Sequence, residues 1–222
     1  TRGFMATIDE VAARVASAKT RLVALERAVD ERESVQRVKE HLRREKLTSA
    51  FLKTAPADYY SWTLAQRASL LGCQIPHLCK SIIVENVACA DSGIEDPLNS
   101  RYYCVVLQYN SRLDAEQLRR FVRDSIPEAD RPSRKKFNFQ HAPGEVGVSE
   151  KLTGFGHNGV SPFGMAAPIP VIVAGDVAAL NPPFLWLGGG AETVKLRISV
   201  QDIVAALGAR VADGITTLRT DL

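Results

Sequence analysis

The stretch of this 222-residue chain with the most chemistry in it is GFGHNGVSPFG, residues 154–164. Four glycines and a proline ask the backbone for turns that ordinary residues resist, and such turns can expose main-chain N–H groups to a ligand. His157 within it can carry a proton near neutral pH, although a loop histidine is more often simply solvated. No nucleophile elbow, GxxxxGK[ST] phosphate loop or HExxH helix is present. GFGHNG does fit GxGxxG, but no strand-like run precedes it and a proline turn follows, so a dinucleotide site is set aside. Cys73, His77 and Cys79 match no common zinc spacing, and Cys73, Cys79, Cys89 and Cys104 form no CxxC pair. The expectation is reduced structural thiols, no metal and no cofactor.

Other candidates flank this loop. RPSRKKFNFQ (131–140) offers Arg131, Arg134, Lys135 and Lys136 ahead of Phe137 and Phe139, and LRRFVR (118–123) adds three more basic residues. Such a cluster either contacts phosphates or is a solvated helix face followed by a basic loop. Tyr59, Tyr60 and Trp62 either stack a base or staple the chain to its core. His41 and His141 occupy ordinary positions.

The elements that must position these residues divide at about residue 52. From Thr7 to Leu47 the chain reads as one long charged helix, with Val11, Val15, Ala18, Leu22, Leu25 and Val29 spaced alternately four and three apart, a seam of coiled-coil type. The seam breaks across DERES (30–34) and resumes with Val35, Val38 and Leu42. Two readings stand: packing against another helix, or an amphipathic helix lying on its own domain. KTAPADYYSW (53–62) has linker composition, which gives a helical arm over 1–52 and a domain over 53–222.

In that domain TLAQRASLLG (63–72) predicts a helix stopped by Gly72, KSIIVENVAC (80–89) and RYYCVVLQYN (101–110) predict buried strands, and LDAEQLRRFVRDSI (113–126) predicts a helix with Asp114 in its first turn. KFNFQ (136–140) alternates like a half-buried strand, and GEVGVSEKLTG (144–154) reads as a short helix. PIPVIVAG (168–175), PFLWLGGG (183–190) and TVKLRISV (193–200) are strand-like, and a closing helix is expected from Gln201 to Ala212. The sum is an α+β fold: one mixed, curved, barrel-like sheet flanked by helices, without the βαβ rhythm of a doubly wound fold.

Leu71-Gly72 followed by Cys79-Lys80-Ser81-Ile82-Ile83-Val84, and Lys151-Leu152-Thr153-Gly154 followed by Asn158-Gly159-Val160-Ser161-Pro162-Phe163-Gly164, resemble two motifs of the YbaK family, the editing domain associated with prolyl-tRNA synthetase. The Leu187-Gly188-Gly189-Gly190 turn, with the helix start at Val200-Gln201-Asp202-Ile203, is a looser third match, and together they span about residues 55–212. The resemblance implies hydrolysis of the ester between a wrongly attached amino acid and the tRNA 3′ end, on substrates such as Ala- or Cys-tRNA(Pro). It implies Lys80 and the main chain of Gly159, Val160 and Ser161 as the catalytic groups. Asn158, Pro162, His157, Gly188 and Gly189 would then line the substrate, and Arg131, Arg134, Lys135 and Lys136 would touch tRNA phosphates. Where the family pattern carries glycine this chain has Asn158, a residue that tolerates positive φ but adds a side chain.

A net charge of +3, 45% hydrophobic and 24% charged residues fit a globular protein with a real core. No apolar run approaches the roughly 20 residues of a membrane helix, and the first residues lack a secretory pattern, so the expected place is the cytoplasm, without membrane contact. The expected partners are tRNA and, through the helical arm, an aminoacyl-tRNA synthetase, a multi-synthetase complex or a second copy. The alternative to an enzyme is an inactive module of the same fold that binds tRNA or a synthetase.

Overall fold

A computed structural model describes residues 7–89, 93–94, 96–142 and 147–220. Helix α1 (Ile8–Arg44) opens with a capping box in which Thr7 accepts from the Glu10 amide and Glu10 accepts from the Thr7 amide. It runs unbroken through DERES and ends where Lys46 takes φ +54°. The break in the apolar seam is therefore a change of surroundings within one helix. Val11, Val15, Leu22, Leu25 and Val29 face solvent, whereas Ser34, Val38 and Leu42 are buried on the domain. The reading of a helix lying on its own domain holds from Ser34 onward.

Strand β1 (Phe51–Thr54) follows directly, pairing antiparallel with a later strand, so Lys53 and Thr54 are sheet where linker was expected. Tyr59 then sits buried in a 3-10 turn (Tyr59–Ser61). Helix α2 (Leu64–Leu71) is capped by Thr63 and, as its sequence predicts, stopped by Gly72 at φ +64°. Next come β2 (Cys79–Asn86), β3 (Tyr102–Gln108), β4 (Ser111–Leu113), α3 (Ala115–Asp124) and β5 (Phe139–His141). Asp114 caps α3 by accepting from the Glu116 and Gln117 amides. A 3-10 turn (Arg134–Lys136) precedes β5, so the KFNFQ strand starts later than expected, although Phe137 and Phe139 are buried as its alternation requires.

The chain ends with α4 (Val148–Thr153), β6 (Val171–Ala174), α5 (Gly175–Ala178), β7 (Phe184–Gly188), β8 (Val194–Ser199), α6 (Val200–Ala206), β9 (Arg210–Ala212) and β10 (Thr216–Leu218). The closing helix stops six residues short of its expected end, because Gly208 at φ +54° turns the chain into β9. Residues 144–146 of the predicted GEVGVSEKLTG helix lie outside the described residues.

The described strands form a five-stranded sheet of order β5-β2-β3-β6-β9, a three-stranded sheet β1-β8-β7 and a β4–β10 pair. The β3–β6 and β6–β9 pairs are parallel and the others antiparallel. A lone parallel bridge between Leu78 and Trp186 joins the first two sheets. The sheets curve without closing, and their inner faces share one core running from Val38 to Ile215.

Helix α1 docks on this core beside the glycine loop. Gly164 (φ +74°) and Gly190 (φ +102°) lie so close to it that a Cβ on either would stand 2.8–2.9 Å from the backbone of Arg37 or Ser34. The Arg37 guanidinium and the Ser34 hydroxyl both donate to the Gly154 carbonyl, and the Gly164 amide donates to His41 Nδ1 at 2.9 Å. Burial holds the His41 imidazole below its usual value, with the Arg44 charge adding to the effect.

Two outcomes follow for the docked helix. A chain shortened to begin at residue 30 should keep its melting temperature within a few degrees. One beginning at residue 46 should lose several kcal/mol, since Val38 and Leu42 alone bury about 1.5–3 kcal/mol each. As His41 Nδ1 accepts a hydrogen bond, the folded state favours the neutral ring. Its contribution should be complete above pH 6.5, the unfolded value, and fade as pH falls below that. Urea unfolding at pH 8 and pH 5 should show this loss in the wild type and a smaller one in His41→Asn, whose amide oxygen accepts without titrating.

Candidate functional site

The loop that carries GFGHNGVSPFG has no regular structure and is anchored at both ends. The amides of Ala166 and Ala167 donate to the carbonyls of Thr153 and Leu152, and Phe155 and Phe163 are fully buried. One side of the loop faces α1; the other faces a cleft of about 420 Å³ whose opposite wall is β2. Lys80, His157, Asn158, Val160 and Gly188 meet on this cleft, joined by Tyr60 and Tyr109.

Lys80 sits at the start of β2, opposite Leu107 of β3, and is half-buried. Burial, then the charge of Arg219, pulls its ammonium below the usual lysine value. Among the described residues it has no carboxylate or hydrogen-bond partner, and the Tyr109 ring lies 5.8 Å from Nζ. A cation in this position is available to a ligand.

The other predicted residues are placed differently. The Gly159 amide is spent on the Gly156 carbonyl at 3.1 Å, and its backbone faces the groove beside α1. Val160 faces the cleft, and among the described residues its amide and that of Ser161 make no hydrogen bond. The Ser161 side chain is fully buried, its hydroxyl accepting from the Phe163 amide at 3.2 Å. Pro162 lines a different groove, between α1 and residues 165–171. Gly188 lines the cleft with its backbone against Val160, while Gly189 packs on Val194 and Leu52.

Asn158 holds φ +61°, the left-handed conformation for which asparagine is suited. Its side chain donates to Glu192 Oε1 at 3.0 Å, and its carbonyl accepts from the Tyr60 hydroxyl at 2.9 Å. Glu192 also pairs with Arg27 of α1 at 2.9 Å, and the Asn158 bond leads the causes that hold its carboxyl below the usual range. Lys195, on β8, donates to the Tyr60 hydroxyl from beneath the cleft at 2.9 Å. Nothing in the sequence singles out Lys195, because an alternating strand such as TVKLRISV gives no sign of which face is covered.

The basic cluster lies upstream of the cleft on the same chain segment. Arg134, Lys135 and Lys136 are exposed in their 3-10 turn, with Arg134 paired to Glu116 at 3.0 Å. Arg131 instead turns back onto the carbonyls of Ile126 and Asp124. Phe137 and Phe139 fix the segment in the core, and His141 reaches the cleft wall five residues after Lys136, about 17 Å of extended chain. Cys73, Cys79 and Cys104 are free thiols pushed up by burial, Cys73 to about 11. His77 is buried against Phe184, with Nε2 3.1 Å from the Pro182 carbonyl oxygen. No described helix is long and apolar enough to cross a membrane.

The left-handed turn at Asn158 makes a direct prediction. Asn158→Gly should stay within about 1 kcal/mol of the wild type in chemical denaturation, trading the Glu192 bond for an unstrained backbone. Asn158→Val, with a β-branched residue in the same conformation, should lose about 1–3 kcal/mol.

No family model and no curated protein sequence matches this chain. Among solved structures, it superposes on a candidate trans-editing enzyme for prolyl-tRNA synthetase with a TM-score of 0.60 and 24% identity, over 81% of this chain and 95% of that one. A hypothetical protein matches with the same score and identity over 82% and 99%. A scaffold protein used for computational grafting of linear epitopes matches with a TM-score of 0.61 and 22% identity, over 85% and 98%. At these identities the likeness is one of fold, and this chain has the fold those three proteins share.

Proposed function

We propose that this protein is a trans-acting hydrolase that cleaves the ester joining an amino acid to the 3′ end of tRNA, with small residues such as alanine or cysteine on tRNA(Pro) as the substrates. The observation that carries the reading is Lys80, a half-buried ammonium without a carboxylate partner among the described residues, on the same cleft as Asn158 and Val160. The fold shared with a candidate trans-editing enzyme supports it.

Ester hydrolysis builds negative charge on the carbonyl oxygen as water attacks, and fixed donors lower that barrier. Lys80 and the Val160 amide are the donors assigned to this oxygen, with the Ser161 amide next along the turn. Gly159 acts here as a former of the turn, because its N–H is already bonded within the loop. His157 and Gly188 bound the amino-acid pocket, with Pro162 and Gly189 supporting the walls from behind. The attacking water yields its proton to the departing ribose oxygen, leaving the free amino acid and intact tRNA. Arg131, Arg134, Lys135 and Lys136 are assigned to the acceptor-stem phosphates, with Arg134, Lys135 and Lys136 the exposed members.

A second reading, a non-catalytic module that binds tRNA or a synthetase, is favoured by the solvent-facing seam of Val11, Val15, Leu22, Leu25 and Val29. The two are compatible if the arm over 1–52 docks a catalytic domain over 53–222 onto a synthetase or a second copy.

Deacylation of a panel beginning with Ala-tRNA(Pro), Cys-tRNA(Pro) and Ser-tRNA species should show turnover that resists chelators. Lys80→Ala should lower kcat on the order of 100- to 1,000-fold while the fold melts normally. Loss of activity on adding a chelator would overturn the mechanism, and tRNA binding without turnover would select the module.

A further inference from the structure

Lys195 is buried at 4% exposure and belongs to a closed ring of hydrogen bonds with three other residues. Its Nζ donates to the Tyr60 hydroxyl at 2.9 Å and to the Glu192 carbonyl at 2.8 Å. Tyr60 donates to the Asn158 carbonyl at 2.9 Å, and the Asn158 side chain closes the circuit on Glu192 Oε1 at 3.0 Å. Asn158 is thereby gripped at its carbonyl and its side chain by two groups that both lead back to Lys195.

The groups facing Lys195 make this a strained place for a charge. The rings of Tyr60 and Tyr59 lie 4.2 and 4.7 Å from Nζ, and the Arg67 guanidinium also lies over these rings, at 5.1 and 5.3 Å. Lys53 is directly opposite across the β1–β8 ladder, its ammonium taken by the Leu70 carbonyl. Cys79 and Tyr109 complete the wall, with Tyr109 Oη 3.4 Å from that of Tyr60. The ring faces favour the cation; burial and Arg67 oppose it.

We propose that Lys195 is a positioning residue that, through Tyr60, holds the Asn158 peptide in the orientation the cleft uses, and that it releases this peptide when it loses its proton. As an ammonium, Lys195 has donors only, so the Tyr60 oxygen must accept from it and the Tyr60 O–H is directed to the Asn158 carbonyl. As a neutral amine it offers a lone pair, to which the Tyr60 O–H can turn, with the freed proton passing to buffer. Burial lowers the Lys195 value to about 7, Arg67 adding to it, so the exchange falls near neutrality. The Asn158 carbonyl shares its peptide with the Gly159 amide, and the next peptide carries the amide of Val160, a residue that lines the cleft, so a shift at Asn158 reaches Val160 through Gly159 alone. The consequence for catalysis rests on the deacylase reading above; the positioning does not.

The test separates the two. In the full-length protein, the carbonyl carbon-13 signal of Asn158 should titrate between pH 5.5 and 9 with a midpoint near 7. It should be flat in Lys195→Met and flat in Tyr60→Phe, while the Lys195 side chain still titrates in the latter; melting curves verify both folds. An Asn158 signal that does not move in the wild type overturns the proposal. So does a titration that survives in Lys195→Met. If the wild type deacylates tRNA, each variant should lower kcat on the order of a hundredfold at unchanged KM, and the double variant no further. Additive losses would overturn the coupling through Tyr60. If no aminoacyl-tRNA is turned over, the deacylase reading fails and the carbon-13 result alone decides the role of Lys195.

Discussion

The shape of the 154–164 loop depends on helix α1. The loop has neither helix nor strand, so little within it fixes its turns beyond the Gly159–Gly156 and Phe163–Ser161 hydrogen bonds. Its form comes from backbone pressed on backbone: Ser34 and Arg37 against Gly190 and Gly164, at distances that leave no room for a side chain. Arg37 and His41 then satisfy polar groups of the loop that this contact takes from water, the Gly154 carbonyl and the Gly164 amide. A helix that looks like an appendage is, over its last three turns, the backing of the loop that forms one wall of the cleft.

Two lysines illustrate how position divides similar chemistry. Lys80 and Lys195 are both pulled down by burial, but Lys80 opens on a cleft without a partner among the described residues, whereas Lys195 has its donors committed. The first is placed to meet a ligand and the second to hold a wall. Tyr109 lies beside the first and Tyr60 bonds to the second, with the two tyrosine hydroxyls 3.4 Å apart.

Much of the fold was legible in the sequence where local chemistry decides it. Asp114, Thr63 and Gly72 mark helix ends by hydrogen bonds and φ values that only a few residue types supply, and the apolar runs of β2 and β3 need no partner to be recognised. What was missed depends on contacts distant in sequence. Lys53 and Thr54 read as linker because nothing local reveals that residues 194–195 pair with them. Gly164 of the loop and Gly190 of the turn after β7 make room for the helix, a role that only the docked Arg37 and Ser34 reveal. Asn158 was legible as a left-handed residue but not as half of a ring with Lys195, whose partners lie 135 and 3 residues away.

The continuity of α1 has a mechanical meaning. From Ile8 to Arg27, where it meets Glu192, the helix extends roughly 30 Å by its rise per residue, with no proline or glycine to bend it. A flexible tether would fix only how concentrated a bound partner is near the cleft. A rod fixes its bearing as well: whatever grips the exposed seam is held at one distance and one angle, and any tilt imposed there is delivered at Arg27 to Glu192 and at Arg37 to the loop.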